Sequence, residues 1–259
     1  MRERGAQAVY RALNILQCFS VERPSVSLTE AAHETGLTLS TTHRILKALQ
    51  GKDFIVRDGA TGRYTVGPAI LRLARVTLEG NAHNELLAAA MPHLEHLRTI
   101  TGETVGIHVP FNQTRLCLSE VVSLRPLRMA SGVGQLYPLH AGAAGKVLLA
   151  FMPAPVVKRL LATANAGPVG GIKVPLRTRL LKELPEIRKR GYATSFGETV
   201  PGASAAAAVI RTGEERPVGA INITGPAARW TRKRMAEHLP TLLAAAREIE
   251  GRLGYRADS

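Results

Sequence analysis

The sequence predicts an α+β protein in two parts. Residues 1–67 form a winged helix-turn-helix, residues 68–80 a linking helix, and residues 81–259 a larger mixed α/β domain. Three observations predict this. An amphipathic stretch from Thr38 to Lys52, TLSTTHRILKALQGK, follows another short helical stretch across a glycine. Two β-rich tetrapeptides flank a turn just downstream. Beyond residue 80, strand-like and helix-like segments alternate, and 259 residues suit two domains.

Val9, Ala12, Leu13, Leu16 and Phe19 share one helical face, so a helix with that face inward is expected from about Ala8 to Phe19. Val21 to Val26 contains Pro24 and reads as a loop. Ser27-Leu28-Thr29-Glu30 is a capping box, in which hydroxyl and carboxylate each take a backbone N–H of the other residue. The helix it starts runs to about Thr35, where Gly36 stops it. Thr38 then caps the next helix, whose apolar stripe is Thr42, Ile45, Leu46 and Leu49. Two short helices joined by a glycine turn are the helix-turn-helix arrangement. Phe54 to Arg57 and Arg63 to Val66 make strands around the turn Asp58 to Gly62, a wing with a cation at each shoulder. Gly67-Pro68 breaks the chain, and Ala69 to Leu78 is helical again.

The outward face of the third helix carries hydroxyls, an imidazole and two cations, and no acid. That set suits the major groove of double-stranded DNA, where short side chains reach base edges and cations reach guanine or phosphate. Ser40, Thr41, His43, Arg44 and Lys47 are the expected groove contacts, with Arg57 and Arg63 on the DNA backbone. An ordinary solvated helix face has the same composition; the order of three helices and a wing favours DNA. One such helix touches few bases, so a homodimer on a roughly palindromic operator is expected.

Composition narrows the remaining classes. The net charge of +14 fits a polyanionic partner, although residues 1–80 hold only 11 Lys/Arg against 7 Asp/Glu, so most of the excess lies downstream. Aromatics are 4%, which leaves aliphatic side chains to fill the cores. Cys18 and Cys117 each stand alone in an apolar run, so a zinc site or disulfide framework is not expected; both read as small buried hydrophobes. No metal or cofactor is expected. No run approaches the ~20 apolar residues of a membrane span, so a soluble, cytoplasmic protein is expected.

In the second part, Leu86 to Arg98 is helical. Glu103 to Val109 and Leu116 to Val122 read as strands around the turn Phe111 to Thr114, and Leu127 to Met129 as a third strand. Ala141 to Phe151, Pro155 to Ala164 and Thr178 to Arg190 are helices. Tyr192 to Phe196, Ser204 to Arg211 and Val218 to Thr224 are strands, and Thr231 to Leu253 is a long closing helix. This order implies one domain around an antiparallel sheet. His140 to Lys146 opens a helix on small residues, where free amides and the helix dipole favour an anion such as a metabolite carboxylate. Close helix-to-sheet packing explains the same small residues. Asn222 and Thr224 lie two apart on one strand face and need polar partners, from a ligand or from neighbouring backbone. There is no G-x-S-x-G and no matched acid and base, so catalysis is not expected.

RALNILQCFS, SLTEAAHETGLTLSTTHRILKALQGKDFIVRD and GRYTVGPAILRLA resemble the IclR family of bacterial transcription regulators, and so do PLHAGAAGKVLLAFMP, RGYATSFGE and AINITGPAARW. The resemblance covers nearly the whole chain in the family's order. It implies a GAF-like effector domain, a small organic-acid effector, and a dimer of dimers. Carried over residue by residue, it places effector contacts at Gly142, Ala143, Ala144, Asn222 and Thr224. Two departures bear on the pocket. Ala205 stands where some relatives place a cysteine, and Gly197 to Val200 holds one acid where some have an acidic run. Both point to a less polar pocket and an acid with an apolar or aromatic body. Two other classes stay open: an architectural DNA-binding protein without effector, and a GAF-type reductase, whose chemistry needs more thiols than Cys117.

Overall fold

The structure, a computed structural model, describes residues 6–78, 82–163, 177–212 and 216–254. The chain divides into two compact units, Met1–Asn81 and Ala82–Ser259.

The first unit runs α1 (Gln7–Leu16), β1 (Ser25–Val26), α2 (Leu28–Thr35), α3 (Leu39–Gln50), β2 (Ile55–Arg57), β3 (Tyr64–Val66) and α4 (Pro68–Leu78). The capping box is formed. The Glu30 amide donates to Ser27 Oγ at 3.2 Å, and the Ser27 amide donates to Glu30 Oε2 at 2.7 Å. Gly36 ends α2 with φ of 65°, a left-handed conformation that glycine adopts without a Cβ penalty. Ile15, Val26, Ala31, Leu46, Ile55 and Tyr64 form the core, with Leu16, Phe19, Ile45 and Leu49 against it.

Two expectations fail here. The apolar face of α1 does not turn inward along its length: Val9 is 60% and Leu13 49% exposed, while Ile15 and Cys18 are buried. Only the last turn of α1 and the segment after it join the core. The Pro24 segment is not all loop, because Ser25 and Val26 pair antiparallel with Thr65 and Tyr64 as a third strand of the wing sheet, in the order β1-β3-β2. A two-residue strand has no period to read.

The second unit runs α5 (Ala82–Thr101), β4 (Thr104–Phe111), β5 (Thr114–Val121), β6 (Leu136–Pro138), α6 (Gly142–Ala150), α7 (Ala154–Thr163), α8 (Arg177–Arg190), β7 (Tyr192–Phe196), β8 (Ala203–Arg211), β9 (Pro217–Pro226) and α9 (Arg232–Arg252). Six antiparallel strands lie in the order β6-β5-β4-β9-β8-β7. Both faces are covered. Val105, Ile107, Val109, Ile221 and Ile223 pack against Leu86, Leu94 and Leu97 of α5 and Leu242 and Ile249 of α9. The alternate positions Ala193, Ala207, Val209 and Ala220 pack against Val147, Leu148 and Leu149 of α6, with Leu180, Leu184 and Ile187 of α8 behind. Strand alternation therefore sends Asn222 and Thr224 to the α6 side.

Leu127 to Met129 is not a strand; the sheet edge is β6, whose Leu136 to Pro138 pair with Leu116 to Thr114. Pairing, not local β propensity, decides an edge of three residues. Ala164, the expected end of the α7 helix, lies outside the described residues.

Ser27→Ala removes one half of the capping box and is expected to cost about 1 kcal/mol in a urea melt of the first unit. Ser27→Asp keeps the acceptor and is expected to cost little by the same measurement.

Candidate nucleic-acid interface and effector cavity

The start of α3 is fixed by Thr38, whose Oγ1 accepts from the Thr41 amide at 3.3 Å. Thr42 turns inward and donates to the Thr38 carbonyl at 3.0 Å, and Leu46 is buried beside it. Ser40, His43, Arg44 and Lys47 are left exposed on the opposite side. Thr41 is half-buried, with its hydroxyl 3.0 Å from Thr38 Oγ1, so it serves the cap as well as the surface. Arg44 lies at the α1 edge of the exposed face. With Arg11 and Lys52 it lines a cleft of about 440 Å³ between α1 and α3. Arg11 and Lys52 were not singled out in the sequence, since only the fold brings α1 beside the end of α3.

The wing treats its two arginines differently. Arg57 is exposed, with its guanidinium 5.9 Å from the Tyr64 ring centroid. Asp58 holds the turn by accepting from the Thr61 and Ala60 amides at 2.7 and 2.8 Å. These bonds, that from Thr61 first, keep its carboxyl below the usual range. Arg63 instead faces into the domain. It donates through Nε to Ser25 Oγ at 2.9 Å, and through Nη2 to the Ser25 carbonyl at 2.9 Å and Glu30 Oε2 at 2.8 Å. In this geometry it ties the wing to β1 and the cap of α2, with its side chain still 36% exposed.

In the second unit, a cavity of about 250 Å³ opens between the start of α6, the sheet and the segment before β6. Gly142, Ala143, Ala144, Asn222 and Thr224 all line it. Gly142 has φ of 76°, and a Cβ there would come within 2.9 Å of Thr199 Cγ2 and 3.2 Å of Arg115 Nη2. The α6 start is not bare. The Gly142 amide donates to Glu198 Oε2 at 3.0 Å. Glu198 Oε1 lies 2.8 Å from the buried Lys146 Nζ, which also reaches Glu183 at 3.1 Å. The chain's own carboxylate thus takes the first amide of α6, which the sequence had offered to a ligand. Asn222 Nδ2 donates to Thr224 Oγ1 at 2.7 Å, so the two satisfy each other in part. Asn222 Oδ1 is buried and makes no closely aligned hydrogen bond, although the Asn222 side chain interacts with His108.

The sequence did not point to Arg115, Tyr137, Ser195 and Thr199 on the cavity wall, behind which His108 is buried. The wall is more polar than expected from Ala205, because residues on three other strands supply the polarity. Arg115 is 5% exposed, its Nη1 is 2.7 Å from His108 Nδ1, and its guanidinium lies 4.6 Å from the Tyr137 ring centroid. Burial pulls the Arg115 pKa down to about 10. Burial, and then the Arg115 charge, push His108 well below its ordinary value, so His108 is neutral and Nδ1 accepts. One signal was available: Arg115 shares its strand face with Cys117, and a charge at a buried alternate position calls for a reason.

The C-terminal part, residues 81–251, matches the family described as bacterial transcriptional regulator IclR C-terminal, and residues 8–59 match the IclR helix-turn-helix domain. The chain belongs to the IclR family. It is a DNA-binding transcriptional regulator. This IclR-family regulator is 31% identical over 245 residues to the transcriptional repressor IclR of Escherichia coli K12, covering 94% of this chain and 88% of the relative. It is 29% identical over 256 residues to the repressor AllR of the same strain, covering 98% and 93%. The crystal structure of Thermotoga maritima IclR matches with a TM-score of 0.79 at 27% identity, covering 95% of this chain and 98% of that one. A putative regulator from Rhodococcus sp. RHA1 matches with 0.77 at 26%, covering 96% and 98%. No helix among the described residues is long and apolar enough to cross a membrane.

Burial lowers the pKa of His93, His108 and His140 alike. The unfolded chain, with histidines near 6.5, therefore binds protons first as pH falls. Stability is expected to be level above about pH 7 and to drop as pH falls through about 6.5. Thermal melts between pH 5 and 8 check this, and His108→Gln is expected to flatten the profile.

Proposed function

We propose that this regulator binds a two-fold-related operator through α3 and the wing tip, and that a small organic acid in the cavity at the start of α6 changes that binding. The exposed face of Ser40, His43, Arg44 and Lys47, held outward by a buried Thr42 and Leu46, carries the proposal. Thr41 contributes at the helix start and Arg57 at the wing. Arg63 holds the wing in place.

Self-association has a physical basis within the first unit. Val9, Tyr10 and Leu13 on α1 and Leu71, Leu73 and Val76 on α4 are all exposed, with Val76 at 71%. Apolar stripes of this kind on two helices favour a partner copy. A homodimer matches a palindromic operator, and the family resemblance extends this to a dimer of dimers. The site of action is the cytoplasm, where the DNA is, and the mode of action is repression, as the relatives' names suggest.

The cavity supports binding rather than catalysis. Its lining residues include no carboxylate, histidine or thiol to act as base or nucleophile, and burial pushes the nearby Cys117 thiol up to about 12. At about 250 Å³ it lies near the low end of small-ligand pockets, roughly 300 Å³. Met129, Val200, Ala203 and Ala205 offer an apolar wall beside the polar one, which suits an acid with an apolar or aromatic body.

DNase footprinting on DNA flanking the regulator's own gene, with and without a panel of carboxylic acids, tests this reading. The panel includes 4-hydroxybenzoate, with which a fold neighbour from Microbacterium hydrocarbonoxydans was solved. A bounded, two-fold-related footprint that changes with an acid is expected; protection that spreads without a boundary would point to an architectural protein. On the operator so found, Arg44→Ala is expected to cost about 1–3 kcal/mol and to relax one base position. Lys47→Ala is expected to weaken all sequences alike and to lower the salt slope by about 1 if it meets phosphate. Binding isotherms at several salt concentrations measure both.

A further inference from the structure

We propose that Arg115 is the residue that holds the effector's acid group, through the Nε and Nη2 edge of its guanidinium. This deepens the effector reading above and rests on it.

Three buried or half-buried cations of this domain are balanced by acids of the chain. Arg229 presents Nε and Nη2 to Glu103 at 2.5 and 2.9 Å. Arg211 presents the same two nitrogens to Glu250 at 3.0 and 3.5 Å. Lys146 sits between Glu183 and Glu198. In each case a carboxylate of the chain balances the charge, as burial requires.

Arg115 is more deeply buried than Arg229 or Arg211, and no carboxylate pairs with it among the described residues. Its neighbours are the neutral His108, the face of Tyr137 and the thiol of Cys117. His108 takes Nη1. Nε is buried without a hydrogen-bond partner, and Nη2 lies next to the Gly142 backbone on the cavity wall. The Nε and Nη2 edge is the fork that Arg229 and Arg211 use for a carboxylate, and it matches a carboxylate in two parallel bonds.

The surroundings agree. Gly142 lacks the side chain that would crowd Arg115 Nη2. Asn222 lines the same cavity, with its Oδ1 toward Gly106 and its side chain interacting with His108 and Thr224, so a ligand hydroxyl would meet an amide already held in place. Glu198 already takes the Gly142 amide, so the strand side, not the helix start, is where an incoming acid finds an unbalanced cation. The ligand class is a compact monocarboxylic acid with its acid end on Arg115 and a hydrogen-bond donor within reach of Asn222.

Isothermal titration of the full chain tests this, using acids each paired with its neutral amide: benzoate and benzamide, 4-hydroxybenzoate and 4-hydroxybenzamide, phenylacetate and phenylacetamide, lactate and lactamide. The wild type is expected to bind at least one acid and to bind its amide roughly thirtyfold or more weakly. Arg115→Gln is expected to lose that acid by a similar factor, while Arg115→Lys, which keeps the charge but not the fork, loses part. Without ligand, Arg115→Gln is expected to melt no lower than the wild type, since it removes an unbalanced buried charge. Full acid affinity in Arg115→Gln, or equal affinity for acid and amide in the wild type, would overturn the assignment and leave the effector cavity standing. Undiminished binding in Arg115→Gln together with tighter binding in Glu198→Gln would move the acid to the helix start and overturn it too. If Arg115→Gln does not fold, undiminished binding in Arg115→Lys overturns it. A wild type that binds none of the acids while still footprinting its operator would overturn the organic-acid reading and this inference together.

Discussion

The second domain depends on a sheet covered by helices on both faces. With α5 and α9 on one side and α6 and α8 on the other, most side chains of the central strands leave water. Alternation then has a sharp consequence. On β4 and β9 the positions facing α5 and α9 are Val105, Ile107, Ile221 and Ile223, which gain from burial. The positions facing α6 include His108, Asn222 and Thr224, which lose hydration and must find partners there. The cavity exists where α6 begins and those polar groups are not covered by its small residues.

The cations divide along the same line. Those whose work is to hold the fold are balanced by acids of the chain. Arg63 binds the wing to the α2 cap, Arg229 meets Glu103, and Lys146 meets Glu183 and Glu198. The residues offered to partners lack such balance: Ser40, His43, Arg44 and Lys47 stand in solvent, and Arg115 stands at the cavity.

Capping links the two units in kind if not in space. In the first, Thr38 and the Ser27–Glu30 box satisfy the starts of α3 and α2 from the sequence immediately before them. In the second, α6 has no side-chain cap of its own, and its first amide is met by Glu198, 56 residues away. A local cap makes a fixed helix start. A distant one makes the helix start part of the ligand cavity's electrostatics, since Glu198 ties α6 to the strand region that closes the pocket.

The sequence by itself determined the elements whose signals are local. Capping box, glycine stop, helical stripe and turn chemistry placed α2, α3 and the wing, and β-branched alternation placed five of the six strands of the large sheet within a residue or two. It also brought Gly142, Ala143, Ala144, Asn222 and Thr224 to one cavity, partly through the family resemblance and partly through the two-residue spacing on β9. Tertiary structure decided what depends on pairing between distant segments. A two-residue β1 and a three-residue β6 exist only because β3 and β5 offer them hydrogen bonds. The inward turn of Arg63 needs Glu30, the outward turn of Val9 and Leu13 follows from which part of α1 reaches α3, and the cap on α6 needs Glu198. Arg115 was written plainly in the sequence, but that no acid among the described residues pairs with it is visible only in the fold. Which charges lie near a residue is a property of three dimensions, because Coulomb energy falls with distance in space and takes no account of separation along the chain.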